Sequence, residues 1–258
     1  SKDLHLMQDT YYDDKKGNKV GVAAWYTHTL RGLPFLSVDY KDNKDFCNEQ
    51  RQDALRSMVS WKHSGSWWKS ELCGGYMYQG MEYEYFTSRD NEKTNITHTQ
   101  SHTHTGFLQA QADFMPHEKW LITGDVSGYY NHIESKDRSP YHIGENYNKG
   151  RFEGNASVQA RWRPLEQFTL AFTLREEIYG KKFTPISGAF FADYVLWKKW
   201  NLTLKASVAK NHRVPSMDDL YFKPGGNPYL QPEEGFSYDG GIEFKIPLRR
   251  GHVRGQVT

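Results

Sequence analysis

Three histidines in the stretch THTQSHTHT, residues 97–105, have a type and spacing that could bind a metal ion. His98, His102 and His104 share parity, so a β-strand would place all three on one face. His102 and His104 would then lie about 7 Å apart along the strand, which suits a loosely chelated surface metal. A solvated extension of a strand explains the same pattern, and we favour it. We therefore predict no metal site and keep the three histidines as weak candidates.

Two polar segments are rich in rings and hydrogen-bond donors, PYHIGENY at 140–147 and RVPSMDDLYFKPGGNPYLQPE at 213–233. Either segment could contact a ligand, although a solvated loop or a structural brace explains each of them about as well. The candidate ligand-binding side chains are Tyr141, His142, Tyr147, Tyr221, Phe222 and Tyr229.

Catalytic patterns are missing from the sequence. It contains no GxSxG, HExxH, P-loop or CxxC motif, and no spacing that indicates a cofactor. Glu176 and Glu177 are adjacent, so on a strand they would face opposite sides and could not act as an acid–base pair. We predict that the chain is not an enzyme and needs no cofactor. A disulfide between Cys47 and Cys73 stays open, because it requires Cα atoms within about 7 Å.

The composition limits the possible partners. Lysine and arginine (33) nearly balance aspartate and glutamate (31), giving a net charge of +2 over 258 residues. Nucleic-acid binding requires clustered basic charge, so this balance argues against it. No apolar run is long enough for a transmembrane helix. A strand of a membrane barrel needs only one apolar face, so a membrane location remains open.

Strict alternation of apolar and polar residues is the dominant pattern. In RFEGNASVQARWR, residues 151–163, one parity is apolar or glycine throughout, and the other is polar throughout. A period of two belongs to strands, and it recurs at 200–209 and 236–246. Helical periodicity is absent beyond a few residues. The chain is therefore predicted to be all-β, with about twelve strands.

Short and long connections alternate along the chain. Tight links at 63–66, 115–119, 163–167, 197–199 and 247–251 separate long polar links at 30–53, 87–99, 135–149, 180–187 and 211–235. An antiparallel up-and-down meander places all the tight turns at one end, as transmembrane barrels do. Several strands reach the ten residues that span a membrane. Tryptophans crowd the tight turns, where a bilayer interface would select them: Trp61, Trp67, Trp68, Trp120, Trp162, Trp197 and Trp200.

The segment RVPSMDDLYFKPGGNPYLQPEEGFSYDGGIEF resembles the signature of TonB-dependent outer-membrane receptors. In that family a strand ends in a phrase like RAPS, continues through an acidic residue and LY, and returns through GNPxLxPE. The matching positions are Arg213, Pro215, Ser216, Asp219, Leu220, Tyr221, Gly226, Asn227, Pro228, Leu230, Pro232 and Glu233. His212 and Val214 depart mildly from the pattern. The direct match covers about thirty residues.

The resemblance implies a receptor and active transporter of the bacterial outer membrane for a scarce, bulky nutrient. It further implies a 22-stranded barrel in outer-membrane lipid, an N-terminal plug, energy supplied through TonB, and a small-molecule ligand. Ferric siderophores and cobalamin are favoured over haem, because the histidine of some haem-uptake relatives has no counterpart from 214 to 227. We expect residues 1–258 to be a barrel section cut at both ends, without the plug and the remaining strands.

Two other functions fit parts of the pattern. A soluble all-β binding or carbohydrate-active domain would also alternate in polarity. A passive porin would share the barrel. The signature segment and its prolines argue against the porin.

Overall fold

The computed structural model describes residues 2–34, 46–89, 92–140, 144–223, 225–248 and 251–258. Nearly all of these residues form strands of one antiparallel sheet, which confirms the all-β prediction. The strands are β1 Lys2–Asp13, β2 Asn18–Gly32, β3 Phe46–Ser64, β4 Trp68–Arg89, β5 Glu92–His117, β6 Trp120–Asp137, β7 Gly144–Leu165, β8 Phe168–Tyr179, β9 Lys182–Phe183, β10 Ser187–Trp197, β11 Leu202–Arg213, β12 Glu233–Leu248 and β13 Gly251–Val257. A 3₁₀ turn, Lys198–Trp200, and one short helix, α1 Met217–Tyr221, complete them.

The strands form an up-and-down meander. Each pairs with its neighbours in chain order, except for the two-residue β9, which pairs only with β8. Twelve strands therefore lie on the main path, as predicted from the alternation. Within the described segments, no helix is both long and apolar enough to cross a membrane.

Several strands are longer than the sequence predicted. The expected long link at 87–99 is wrong, because β4 continues to Arg89 and β5 already begins at Glu92. The link at 135–149 is likewise shorter, since β6 ends at Asp137 and β7 begins at Gly144. Polar residues ended the predicted strands too early. A strand that is solvated on both faces needs no apolar parity, and its threonines and tyrosines favour extended backbone.

The two faces of the sheet differ sharply. One cross-strand row is apolar at Trp61, Leu72, Ala110, Val126 and Ala156, and it continues to Glu176 on β8. The adjacent row on the opposite face is polar, and it consists of Lys62, Glu71, Gln111, Asp125, Ser157 and Arg175. We call these the apolar face and the polar face.

The apolar face has no protein layer over it in the described part of the chain. Leu72 is 42 % exposed and Val126 59 %, and no large side chain is fully buried. A soluble sandwich would bury this face against a second sheet. Lipid is the environment in which an exposed apolar row is stable.

Aromatic side chains border the apolar face at two levels. Near the tight turns, Trp120 stacks on Trp162 at a ring distance of 5.4 Å, and Trp197 stacks on Trp200 at 4.7 Å. At the other level Tyr76, Tyr130 and Phe152 lie close together in register and are exposed on the same face, and we call them the upper aromatic border. Tyr130 lies ten residues from Trp120 along β6. Ten residues extend about 33 Å along a strand, which at a tilt of about 45° spans roughly the 25 Å height of a barrel's apolar band.

The cysteines are both free thiols. Cys73 pairs in register with Ser60, and Cys47 pairs with Phe86. Thirteen residues of β3 therefore separate Cys47 from the partner of Cys73, about 43 Å of extended chain. No disulfide can form between them in this fold.

Candidate functional site

The segment at 214–232, which we call the signature loop, leaves and re-enters the sheet at one point. Arg213 ends β11 and pairs in register with Glu233 at the start of β12. Helix α1 follows at once, and Ser216 caps it. The Ser216 hydroxyl accepts from the Asp219 amide at 3.1 Å, and the Asp219 carboxylate accepts from the Ser216 amide at 2.9 Å. This reciprocal capping box explains why the signature needs serine and an acidic residue three positions apart.

The signature loop is anchored to the polar face through one backbone carbonyl. The Pro215 oxygen accepts hydrogen bonds from the Tyr179 hydroxyl at 2.6 Å and from the Arg151 guanidinium at 3.2 Å. Arg151 is itself fixed, since its Nε donates to Glu153 at 2.6 Å and its guanidinium lies 4.0 Å from the Tyr179 ring centre. Strands β7 and β8 thus hold the start of the loop.

A second contact lies beneath α1. Met217 and Leu220 are buried, and so is Tyr147 on β7, whose hydroxyl donates to Asp218. Burial raises the pKa of Tyr147, and the bond to Asp218 raises it further, so the hydroxyl keeps its proton and remains a donor. The Tyr147 ring lies 6.3 Å from that of Tyr221. Helix α1 therefore packs on the polar face as a small hydrophobic contact with one polar tie.

The segment Gly226-Asn227-Pro228 of the signature loop folds back onto α1. The Asn227 amide donates to the Asp219 carbonyl at 2.8 Å, and the Gly226 amide donates to the Phe222 carbonyl at 2.6 Å. The Asn227 side chain then accepts from the Tyr229 amide at 3.0 Å. These bonds give the asparagine a structural role, since its side chain closes an Asx turn.

We expect Gly226→Ala to loosen the signature loop. A Cβ at this position would lie 2.6 Å from the Phe222 carbonyl oxygen and 2.9 Å from the Tyr221 nitrogen, and both are backbone atoms. Backbone cannot yield as a flexible side chain does, so we expect a cost of at least about 1 kcal/mol. The measurement is the rate of chymotrypsin cleavage after Phe222 and Tyr229 in the folded receptor, which should rise because a loosened loop opens more often. Gly235→Ala is the matched control, because nothing lies within 4 Å of its Cβ position. Equal cleavage of the two variants would contradict the prediction.

The predicted ligand-binding residues occupy different environments. Tyr147 is buried below the loop, whereas Phe222 is 45 % exposed and Tyr229 83 %. Tyr221 is half-buried beside Lys149, whose ammonium lies 5.5 Å from its ring centre. Tyr141 and His142 lie outside the described residues. Ligand contact by all six side chains stays a prediction.

The histidines of 97–105 share one face, as their parity predicted. The Tyr78 hydroxyl lies 3.0 Å from His102 Nδ1, and the Tyr76 hydroxyl lies 2.6 Å from His104 Nδ1. His98 instead contacts Glu82 and Glu84 on the neighbouring strand. The sequence alone did not single out these two glutamates, because their proximity to His98 depends on the register of β4 against β5.

Sequence reasoning also missed Arg151 and Tyr179 as loop anchors. Their parity placed them on the polar face, but nothing local connects them with Pro215, which lies 64 and 36 positions away. The sequence offered one sign of this role: Arg151 is an arginine at a polar-face position near the outer end of its strand.

A single antiparallel sheet with an exposed apolar face, two aromatic borders and a loop braced on its polar face defines the wall of a membrane β-barrel. The family model described as "TonB dependent receptor-like, beta-barrel" matches residues 3–255. The chain therefore belongs to the TonB-dependent receptor family, whose members are receptors and transporters rather than enzymes.

Solved structures agree with this fold. The haemophore receptor HasR of Serratia marcescens, solved with its haemophore HasA and haem, superposes with a TM-score of 0.78 at 12 % identity, covering 98 % of this chain and 44 % of that one. The siderophore receptor PirA of Acinetobacter baumannii gives 0.70 at 12 % identity, covering 98 % and 42 %. The copper transporter OprC gives 0.64 at 11 % identity, covering 94 % and 50 %.

The chain resembles these receptors in fold, whereas the sequence identities are only 11–12 %. No curated protein sequence matches the chain. The chain spans half or less of the length of these solved receptors.

Proposed function

We propose that this chain forms part of the barrel wall and outer loops of a receptor that imports a scarce, bulky nutrient across the bacterial outer membrane. The main support is the anchoring of the signature loop, in which Tyr179 and Arg151 hold the Pro215 carbonyl on the polar face. Polar side chains on this face suit a wet interior. The anchored loop leaves Phe222 and Tyr229 exposed where they can meet a ligand.

The proposed ligand is a ferric siderophore or cobalamin, with haem less favoured. Rings on an ordered loop offer contact area to a bulky ligand at a low cost in conformational entropy. Residues 214–227 contain no histidine that could ligate haem iron. The solved receptors of similar fold are a haemophore receptor, a siderophore receptor and a copper transporter, so their likeness does not favour any one of these ligands.

We base the other proposed partners, which are membrane lipid, further strands, a plug and TonB, on the family to which the chain belongs. The receptor would lie in outer-membrane lipid, with its tight turns facing the periplasm and its long loops outside. Further strands and an N-terminal plug would complete the barrel, and TonB would supply energy through that N-terminus. A passive porin would not require an anchored loop, so the anchoring supports a receptor over a porin.

Growth of a receptor-deletion strain tests the proposal. We expect the strain to lose growth on one ferric siderophore, or on cobalamin, as the sole source, and the full-length receptor to restore it. The double variant Phe222→Ala, Tyr229→Ala should reduce uptake of the labelled nutrient at least tenfold while the folded receptor stays at its normal level. Normal growth of the deletion strain on every siderophore, cobalamin and haem source would refute the import function.

A further inference from the structure

The hairpin of β4 and β5 extends beyond the upper aromatic border and brings together three metal-ligating side chains. Glu82 and Glu84 lie two residues apart on β4, with side chains on the same face. Glu84 pairs in register with His98 on β5, and Glu82 pairs with Gln100. Directly opposed residues have Cβ atoms about 5 Å apart, which applies to Glu84 and His98, and diagonal neighbours are about 7–8 Å apart, which applies to Glu82 and His98. Long side chains reach across both distances, so all three can meet at one point of the surface.

Their donor atoms are already close to one another. His98 Nε2 lies 2.9 Å from Glu82 Oε1 and 3.8 Å from Glu84 Oε1. One atom from each side chain lies within 4.8 Å of the other two. Four-coordinate zinc with ligand distances of about 2.0–2.1 Å needs donor separations of about 3.3 Å, so small rotations suffice. The His98 side chain is 14 % exposed, which partly shields the cluster from water.

Both the backbone and the side chains of the cluster are held in place. The His98 amide donates to the Ser139 hydroxyl at 3.0 Å, and its carbonyl accepts from the Arg138 amide at 2.7 Å. Gln100 donates to the Glu82 carboxylate at 2.7 Å. These contacts hold the imidazole and one carboxylate toward each other before any ion arrives, so less conformational freedom is lost on binding.

We infer that Glu82, Glu84 and His98 form a binding site for one divalent transition-metal ion of the Zn²⁺ class. An imidazole nitrogen with two carboxylate oxygens suits zinc and its neighbours, whereas Mg²⁺ and Ca²⁺ prefer oxygen ligands throughout. The ion would lie against both carboxylates, next to Arg51, whose guanidinium is 3.4 Å from Glu82. It would also cross-link β4 and β5 at the outer end of the hairpin.

This site is separate from the polar face that carries the signature loop. Its residues have the parity of the apolar face and lie above the upper aromatic border, on the outside of the wall. Metal binding here therefore does not depend on which nutrient the receptor imports, nor on whether it imports one.

Zinc titration of the full-length receptor in detergent, stripped with EDTA, tests the site. We expect calorimetry to show one Zn²⁺ bound at this site, with His98→Gln weakening that binding at least tenfold. The matched control is His102→Gln, on the same strand and face but hydrogen-bonded to the Tyr78 hydroxyl, and it should leave the affinity unchanged. Ca²⁺ and Mg²⁺ at equal concentration should not displace the zinc.

Two further measurements identify the ligands. X-ray absorption at the zinc edge should detect a first shell of nitrogen and oxygen ligands at about 2.0–2.2 Å with the outer-shell scattering of one imidazole, and Glu82→Gln with Glu84→Gln should remove that signal. Zinc should also slow hydrogen exchange across 82–98 in the wild type but not in His98→Gln, because an ion that binds the folded hairpin stabilises it. Unchanged zinc binding in His98→Gln, or an equal loss in His102→Gln, would overturn the assignment.

Discussion

Arg151→Met is expected to release the signature loop from the barrel wall. The substitution removes a charged hydrogen bond to Pro215 and leaves Glu153 without its arginine, while methionine still fills part of the space. A hydrogen bond from a charged donor contributes about 1.5–3 kcal/mol. We therefore expect hydrogen exchange of the amides at 214–232 to become on the order of 30-fold faster, since a local opening energy falls by about 2 kcal/mol.

Arg175→Met is the matched control for this experiment. Arg175 lies on the polar face of β8 and forms an ion pair with the glutamate two residues later, as Arg151 does on β7. In the described residues it makes no hydrogen bond to the loop. Exchange at 214–232 should therefore stay within about twofold of the wild type. If both variants accelerate exchange equally, the loop is not anchored through Pro215 as we describe.

Val126→Arg is expected to destabilise the receptor in lipid by about 2–4 kcal/mol, the cost of an arginine on the lipid face near the bilayer midplane. Val126 is 59 % exposed on the apolar face, and it lies between Trp120 and Tyr130 on the same strand. The measurement is the urea concentration that half-unfolds the full-length receptor in lipid vesicles. The amount of folded receptor in the outer membrane should fall in parallel.

Gln111→Arg tests the same charge on the other side of the wall. Gln111 lies on the polar face, between Glu71 and Asp125 in register, where a cation has two acidic neighbours. We expect a change of less than about 1 kcal/mol, as for other substitutions on the wet side of a barrel. Equal tolerance of both variants would mean that the apolar face does not meet acyl chains, and would favour the soluble alternative.

The sequence predicted which segments form strands and on which face each side chain lies, because both are local properties. Period-two alternation at 151–163 depends only on which side of a pleated strand each residue occupies, and the observed polar and apolar rows follow it. The capping box of Ser216 and Asp219 likewise involves residues three positions apart. Strand ends were less predictable, since β4 and β5 continue where neither face needs to be apolar.

The sequence by itself determined the all-β meander, the membrane-facing parity and, through the signature segment, the receptor family. Tertiary structure decided which distant residues meet. Register of β4 against β5 brings Glu82 and Glu84 to His98, and the path of the signature loop brings Pro215 to Arg151 and Tyr179. Register and loop path depend on pairing energies summed over whole strands. A shift of β4 against β5 by one residue would place the two glutamates and His98 on opposite faces of the sheet, so no short stretch of sequence could specify this site.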